Sequence, residues 1–344
     1  MEKSIKMNRR ASAREFVDLA REIPVLDVRS PGEYLKGHVP GAISFPLFDD
    51  QERGEIGTLY KQVGRGAAVD RGMTLVQPKM QRMYREGIAH AKKGKLLVHC
   101  WRSGMRSESV AAMLAVSGLD IIVLEGGYKA FRNWVLQRFI QSYPIRLIGG
   151  ATGSGKTEIL HKIAERGSSV LDLEGHADHR GSAFGALGAQ REVMPAQFEN
   201  DLAWELQRAK GPALWIEDES RAIGKLHIHA DLWQQMKQAD LYLIELPIEV
   251  RIARLIEDYG DFPKSELLDS VAKIKRRLGG LRYAEVTEAI QKDDAETAVR
   301  ILLEYYDRSY RYANKDRSAG KVQVLRYPEF DAEQIAEDLL ALGQ

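Results

Sequence analysis

Short apolar, β-branched runs recur along the chain, and most lead into a turn and then a stretch with helical spacing. Residues 13–20 have the spacing of a short helix, and the following "IPVLDV" predicts a buried strand. "RSPGEYLKGHVPGA" is punctuated by Pro and Gly as loops are, and "ISFPL" predicts a second short strand. From Asp49 to Gly94 the chain is long and polar, with helical character but no resolved pattern. "KLLVHC" is the next buried run, "RSESVAAMLAVSGL" has helical spacing and stops at Gly118, "IIVLEGG" predicts a strand, and "YKAFRNWVLQRFIQSY" a helix. Strands alternating with helices imply a parallel sheet with both faces covered.

The alternation restarts at Tyr143-Pro144. "YPIRLIGGATGSGKTEILHKIAERG" predicts a strand, a glycine loop and a helix, and "SSVLDLEG", "PALWIEDE" and "DLYLIELP" predict further buried strands. "VRIARLIEDYG" and much of the segment from Lys264 to Tyr312 predict helices, "KVQVLRY" a last strand and "DAEQIAEDLLALG" a closing helix. The expected fold is α/β, with two domains that are each a parallel sheet flanked by helices. They span residues 1–143 and 144–344, the second with a helical C-terminal part. No repeat, low-complexity stretch or long linker interrupts the chain, so the two domains are expected to pack together.

Composition narrows the classes of function. A length of 344 residues suits about two domains, and 44% hydrophobic residues suffice for real cores. A net charge of +1 gives no global field for a polyanion, so a nucleic-acid partner requires a local basic patch. No apolar run approaches the ~20 residues that span a bilayer. "MEKSIKMNRRASAREFVDLA" is charged and lacks a signal-peptide core, so no membrane partner and a cytoplasmic location are expected. One cysteine can form neither an internal disulfide nor a multi-cysteine zinc site.

That cysteine, Cys100, ends an apolar run in "LLVHCWRSGMRSES". A residue at the carboxyl end of a parallel strand, followed by a helix, faces the open edge of the sheet. The loop from Trp101 to Met105 can turn backbone N–H groups inward, and the next helix adds its positive end. Arg102 and Arg106 add full charges. All of these favour a thiolate, which is a better nucleophile than the thiol, and they equally favour a bound oxyanion. His99 is assigned no role.

A second anion site follows. Gly150, Gly153, Ser154, Gly155, Lys156 and Thr157 fall in a G-x4-G-K-[ST] pattern between an apolar strand and a helix. Glycines let the backbone curl round a phosphate, Lys156 supplies a point charge, and the Thr157 hydroxyl can hold Mg²⁺. "ALWIEDES" ends in an acidic pair, Glu217 or Asp218, of the kind that faces such a loop. A diphosphate-bearing ligand is expected; ATP hydrolysis is not implied. "HADHRGSAFG" places His179, Arg180 and Ser182 after the next strand, and "EDESRAIGKLHI" places Ser220, Arg221 and Lys225 after the one beyond, both at the ligand-binding edge. "KIKRRLGGLR" carries Lys273, Lys275, Arg276, Arg277 and Arg282, which read as a patch for an RNA phosphate backbone or as a solvated helix face.

"VLDVRSPGEYLKGHVPGAISFP", "VHCWRSGMRS" and "VLEGGYKAFRNW", in that order, resemble a rhodanese domain. The resemblance implies that Asp27 and Arg29 are structural anchors and that Cys100 carries a persulfide or its selenium equivalent. The Cys-x5-Arg spacing is one residue longer than in common sulfur-transferring rhodaneses and resembles that of rhodanese-like phosphatases. A longer loop leaves room for a tetrahedral oxyanion.

Joined to the phosphate loop, "LEGHADHRGSAFG" and "IEDESRAIG", this domain resembles the tRNA 2-selenouridine synthase family nearly end to end. The resemblance implies a transferase that converts wobble 2-thiouridine to 2-selenouridine through S-geranyl-2-thiouridine. Its substrates would be geranyl diphosphate and selenophosphate, and its partners the anticodon region of tRNA and a selenophosphate supplier. No tightly bound cofactor is expected beyond Mg²⁺. Cys100 would handle the chalcogen and Lys156 the diphosphate, both facing one uridine, against which Trp101 is a candidate to stack. Other readings are a P-loop kinase with a sulfur-carrier domain, a rhodanese-like phosphatase with Glu108 as the nearest acid, and a non-catalytic tRNA-binding module.

Overall fold

The computed structural model describes residues 9–314 and 320–343; residues 1–8, 315–319 and 344 lie outside it. The chain forms two compact units. One ends at Arg138 and takes in Glu199–Asp201; the other comprises Phe139–Phe198 and the chain from Leu202.

The first unit holds strands β1 (Arg9–Ala11), β2 (Val25–Asp27), β3 (Ile43–Ser44), β4 (Lys95–His99) and β5 (Asp120–Leu124), in the order β1-β5-β4-β2-β3. Every pairing is parallel. The central strands are apolar throughout because helices cover both faces; Leu26, Leu96, Val98, Ile121 and Val123 are at most 2% exposed. Helix Met105–Ala115 packs Val110, Ala111 and Leu114 into this core, the two larger side chains contributing about 2 kcal/mol each. The unresolved polar segment is three α-helices, Asp50–Gln62, Arg65–Val76 and Met80–Ala89, with a short 3-10 turn at Gln77–Lys79. Asp49 starts the first of them through a capping box, accepting from Glu52 N at 2.7 Å while Glu52 Oε2 accepts from Asp49 N at 2.9 Å. Strand order reverses between β2 and β4, where Asp27 pairs in register with His99. A crevice therefore opens beyond their carboxyl ends.

The second unit repeats the plan with β6 (Ile145–Gly150), β7 (Ser169–Leu171) and β8 (Leu214–Glu217). A two-stranded antiparallel hairpin follows, β9 (Ala222–Ile223) with β10 (Leu226–His227), and then β11 (Asp240–Glu245) and β12 (Val322–Arg326). The main sheet is parallel, in the order β12-β11-β6-β8-β7. Its core joins Ile148, Trp215, Tyr242 and Ile244 to helix Lys156–Glu165 and the closing helix Ala332–Leu342. Helices Lys264–Leu278, Gly280–Gln291 and Ala295–Asn314 form a layer with its own core, built on Val271, Ile274, Leu278, Val286, Ile290 and Leu302. Their spacing of three and four residues is that of apolar helix faces. Helices Leu173–Ala177, Pro195–Arg208 and Ala230–Gln238 have no counterpart among the sequence expectations. No described helix is long and apolar enough to cross a membrane.

One buried guanidinium ties this layer to the phosphate loop. Arg251, 6% exposed on helix Ile248–Tyr259, donates to the Thr152 carbonyl at 3.2 Å and to both Asp307 carboxylate oxygens, at 2.9 and 2.7 Å. Removing one partner of such a pair strands a buried charge. Asp307→Ala is therefore expected to destabilise the second unit by about 3 kcal/mol in urea unfolding. A loss below about 1 kcal/mol, the worth of an exposed pair, would contradict this role.

Candidate functional site

The first site forms where β4 ends. Cys100, 3% exposed, lies just past His99 and before helix Met105–Ala115, as expected for a nucleophile at the open sheet edge. Gly104 N donates to its Sγ at 3.4 Å, and the Ser107 Oγ lies 3.2 Å from the sulfur. Burial pushes the thiol up. The Gly104 N–H, the Ser107 hydroxyl and the N–H groups of Arg102 and Ser107 outweigh it and hold the thiol below its ordinary value. Ser107 Oγ also lies 3.1 Å from the Gly104 carbonyl. Its single proton serves the sulfur or the carbonyl, and a thiolate draws it to the sulfur.

The expected inward N–H groups are thus present, and what differs is the expected contribution of the Arg102 and Arg106 charges. Arg106 donates to Glu33 at 2.6 and 3.5 Å, and the two charges offset one another. The Arg102 side chain is exposed, and that residue reaches the sulfur through its backbone. Short, rigid backbone dipoles replace the two flexible cations that the spacing suggested. Glu108, two residues past Arg106, is paired with Arg10 at 2.6 Å.

The loop is held from behind. Tyr128 N donates to the Cys100 carbonyl at 2.8 Å and Lys129 N to the Trp101 carbonyl at 3.0 Å. These are otherwise unsatisfied first-turn donors of helix Gly127–Ile140. Gly127, at φ 61°, is required here, because a Cβ would lie 2.6 Å from the Cys100 carbonyl oxygen and from Ser103 N. Beneath, Arg29 and Asp27 form a buried bidentate pair closing to 2.6 Å, with Arg29 stacked 3.8 Å over the Tyr128 ring and donating to the Gly37 carbonyl at 2.7 Å. His99 is fully buried, and burial lowers its pKa, which keeps the ring neutral. Trp101 is 39% exposed beside the loop.

The second site lies within the other unit, at the carboxyl ends of β6 and β8. Gly155, at φ 74°, caps helix Lys156–Glu165; a Cβ there would come within 2.4 Å of the Phe330 ring. Lys156 Nζ lies 3.3 Å from the Gly150 carbonyl and 3.4 Å from Glu219. Glu219, which the sequence reading passed over, is thus an acid that faces this lysine. Glu217 is wholly buried and accepts from Glu174 N at 2.7 Å. Asp218 is half-buried, its N–H donating to the Ile148 carbonyl at 2.8 Å. Thr157 donates to Glu174 Oε2 at 3.2 Å. Burial and the neighbouring Glu219 push the Glu174 carboxyl up to about 7, against the pull of Lys156. Burial and Asp172 push Glu217 up as well.

Lys156, Thr157, Asp172, Glu174, Asp218 and Glu219 border a cavity of 1580 Å³. All the predicted phosphate-loop residues line it, and so do Arg180, Ser182, Asp218 and Arg221. Arg180 lies 5.4 Å above the Tyr259 ring, and Ser182 Oγ accepts from Phe184 N at 3.1 Å. Of the basic run, Lys273, Arg276 and Arg277 border the same cavity. Lys275 instead lies 4.7 Å from the Tyr283 ring, and Arg282 pairs with Glu304 at 2.8 Å. The spacing from 273 to 276 and 277 marks one helix face, a signal present in the sequence. Among the described residues, no group of three or more His, Cys, Asp or Glu is arranged to hold a metal ion. The donors fit a cation shared between the Thr157 hydroxyl and phosphate oxygens better than one held by protein alone.

A thiol-bearing parallel sheet followed by a phosphate-loop sheet defines a rhodanese-like protein fused to a P-loop domain. Residues 12–133 match the rhodanese-like domain family model, and residues 143–326 match that described as the tRNA 2-selenouridine synthase AAA domain. The chain belongs to the tRNA 2-selenouridine synthase family. It is 38% identical over 350 residues to the tRNA 2-selenouridine synthase of Proteus mirabilis (strain HI4320), covering 91% of this chain and 95% of that protein. It is 34% identical over 360 residues to the tRNA 2-selenouridine synthase of Pseudomonas putida F1, covering 93% of this chain and 94% of that one. The protein of the same name from Pseudomonas putida KT2440 matches equally.

With one cysteine in the chain, thiolate absorbance at ~240 nm reports Cys100 once the tyrosine contribution is subtracted with Cys100→Ala as the blank. Because the folded pKa is depressed, the thiolate is expected to persist below the ordinary thiol value of about 8.5 and to be lost only as pH falls further. Ser107→Ala should move the inflection upward. An inflection at or above 8.5 in the native chain would contradict the N–H cradle.

Proposed function

We propose that the protein is a tRNA-modifying transferase that converts wobble 2-thiouridine to 2-selenouridine through S-geranyl-2-thiouridine. Membership of the selenouridine synthase family supports the overall conversion. The observation that carries the division of labour is the contrast between the two sites, one built round a sulfur anion and the other round a lysine at a phosphate loop.

A thiocarbonyl sulfur leaves carbon poorly, whereas an alkylated one leaves as a thiol. In the first step the uridine sulfur attacks C1 of geranyl diphosphate. The C1–O bond breaks, diphosphate departs and the N3 proton leaves to water. Lys156 and the N–H groups that open helix Lys156–Glu165 receive the charge developing on the diphosphate. Mg²⁺, held by Thr157 and phosphate oxygens, would supply further neutralisation. Lys273, Arg276 and Arg277, exposed at the cavity edge, hold the RNA backbone. Lys275 and Arg282 are left out of that role.

In the second step the selenium of selenophosphate attacks C2 of the geranylated uridine. The C2–S bond breaks, geranylthiol leaves with a proton, N3 regains its proton, and water takes the phosphoryl group from selenium. The loop round Cys100 handles this chalcogen donor, its N–H groups suiting either a thiolate or a phosphate oxygen. The same uridine uses both sites.

Mass spectrometry of nucleosides from 2-thiouridine tRNA, incubated with each donor separately and together, tests this reading. Cys100→Ala is expected to spare geranylation and abolish selenation; loss of both would refute the division of labour. Lys156→Ala is expected to slow geranyl transfer at least about a hundredfold. Unchanged transfer would refute the role given to Lys156, and Lys156-dependent ATP turnover without transfer would favour a kinase.

A further inference from the structure

The cavity beside the phosphate loop has two kinds of wall. Charged groups gather at the sheet edge. The helices contribute charged side chains as well, Arg254, Asp258, Lys273, Arg276 and Arg277, and with them an apolar set: Leu255 and Tyr259 from helix Ile248–Tyr259, Ile274 from Lys264–Leu278, and Tyr305 and Tyr306 from Ala295–Asn314, joined by Leu187 from the connecting loop. We infer that the wall this set forms seats the hydrocarbon tail of the diphosphate donor, and that Leu187 and Ile274 limit its length. The inference rests on the proposed use of an allylic diphosphate and adds which residues recognise its tail.

Continuity with the phosphate loop supports the assignment. Leu255 Cγ lies where it would come within 3.1 Å of a Cβ on Gly153, so the apolar wall begins at the loop itself. Tyr259 lies one helical turn further on, about 6 Å along the axis. Phe184, edge-on to Tyr259 at 6.1 Å and 8% exposed, backs the far end. A tail leaving the phosphates at Lys156 therefore meets apolar surface at once.

The wall suits hydrocarbon better than a nucleobase, because the phenol oxygens of Tyr259 and Tyr306 are engaged by protein. Tyr306 Oη accepts from Ala183 N at 3.3 Å, and burial raises its pKa to about 12. The Tyr259 hydroxyl is hydrogen-bonded by Arg180. What those two tyrosines leave for a ligand is ring surface, without a free hydroxyl for the polar edge of a base. At 1580 Å³ the cavity exceeds the roughly 300–1,000 Å³ of a single small-ligand pocket, leaving room for a nucleoside beside the donor.

Calorimetric dissociation constants for inorganic pyrophosphate and for dimethylallyl, geranyl and farnesyl diphosphates test the assignment on the full chain. In the native chain affinity is expected to rise from pyrophosphate through dimethylallyl to geranyl diphosphate, roughly fourfold for each methylene buried. Leu187→Trp fills the slot and should weaken geranyl diphosphate at least about tenfold while leaving pyrophosphate unchanged. Ile274→Ala opens it and should move the farnesyl-to-geranyl ratio about fivefold or more towards farnesyl. If pyrophosphate binds and tails add nothing, the wall's assignment falls and the phosphate-loop reading stands. If neither pyrophosphate nor any prenyl diphosphate binds, both fall. A tail preference that both variants leave unaltered places the tail elsewhere and overturns the inference. So does a loss of binding to an unmodified anticodon stem-loop with prenyl binding intact, which gives the wall to a base.

Discussion

Parallel strands that end at a common edge leave backbone N–H groups there without carbonyl partners, and helices starting just beyond add more. Such groups must be satisfied, and an anion satisfies several at once. Each sheet of this protein solves the problem at its carboxyl edge. In the first unit the acceptor is a side chain of the chain itself, the Cys100 sulfur, reached from Arg102, Gly104 and Ser107. In the second, the loop between Gly150 and Lys156 curls around space suited to a ligand's phosphate, with the cavity opening beside it.

The electrostatics of the two edges differ accordingly. Around Cys100 the arginine expected to supply positive charge is bound to Glu33, and the sulfur relies on fixed dipoles that need no reorganisation. Around Lys156 the protein places Glu174 and Glu219, and burial, with the repulsion of Glu219, pushes the Glu174 carboxyl up to about 7. Acids so close to a phosphate loop offset part of its positive field. Binding of a highly charged diphosphate then depends on the lysine, the helix N-terminus and any accompanying cation acting together. The helical layer supplies the apolar remainder of the cavity, and Arg251 joins that layer to the Thr152 carbonyl in the loop.

Much of this was legible in the chain because buried parallel strands and glycine loops leave strong local signals. "KLLVHC" and "GGATGSGKTE" announced both edges. β1 was not legible, since Arg9 and Arg10 are exposed on a short outer strand that lacks the apolar run of its neighbours. The hairpin at Ala222–His227 is too short to show a period. Partner choice was the least legible feature. The sequence placed Arg106 one turn from Cys100 but could not show that Glu33, seventy-three residues away, would claim it. Nor did it single out Glu219 beside Lys156, because which side chains of consecutive acids face a lysine depends on where the strand stops. Ser107 passed unremarked as one of several small residues opening a helix. Lys273, Arg276 and Arg277 could have been separated from Lys275 by helical spacing alone.

The central physical claim is that the two edges bind chemically distinct anions. Hydrogen–deuterium exchange with two probes addresses it most directly, since occupied N–H groups exchange slowly. Inorganic pyrophosphate is expected to slow exchange across residues 150–157 and leave 100–107 unaffected, while thiophosphate, standing in for selenophosphate, slows 100–107. Protection of the same segment by both probes would contradict two separate cradles with separate chemistry.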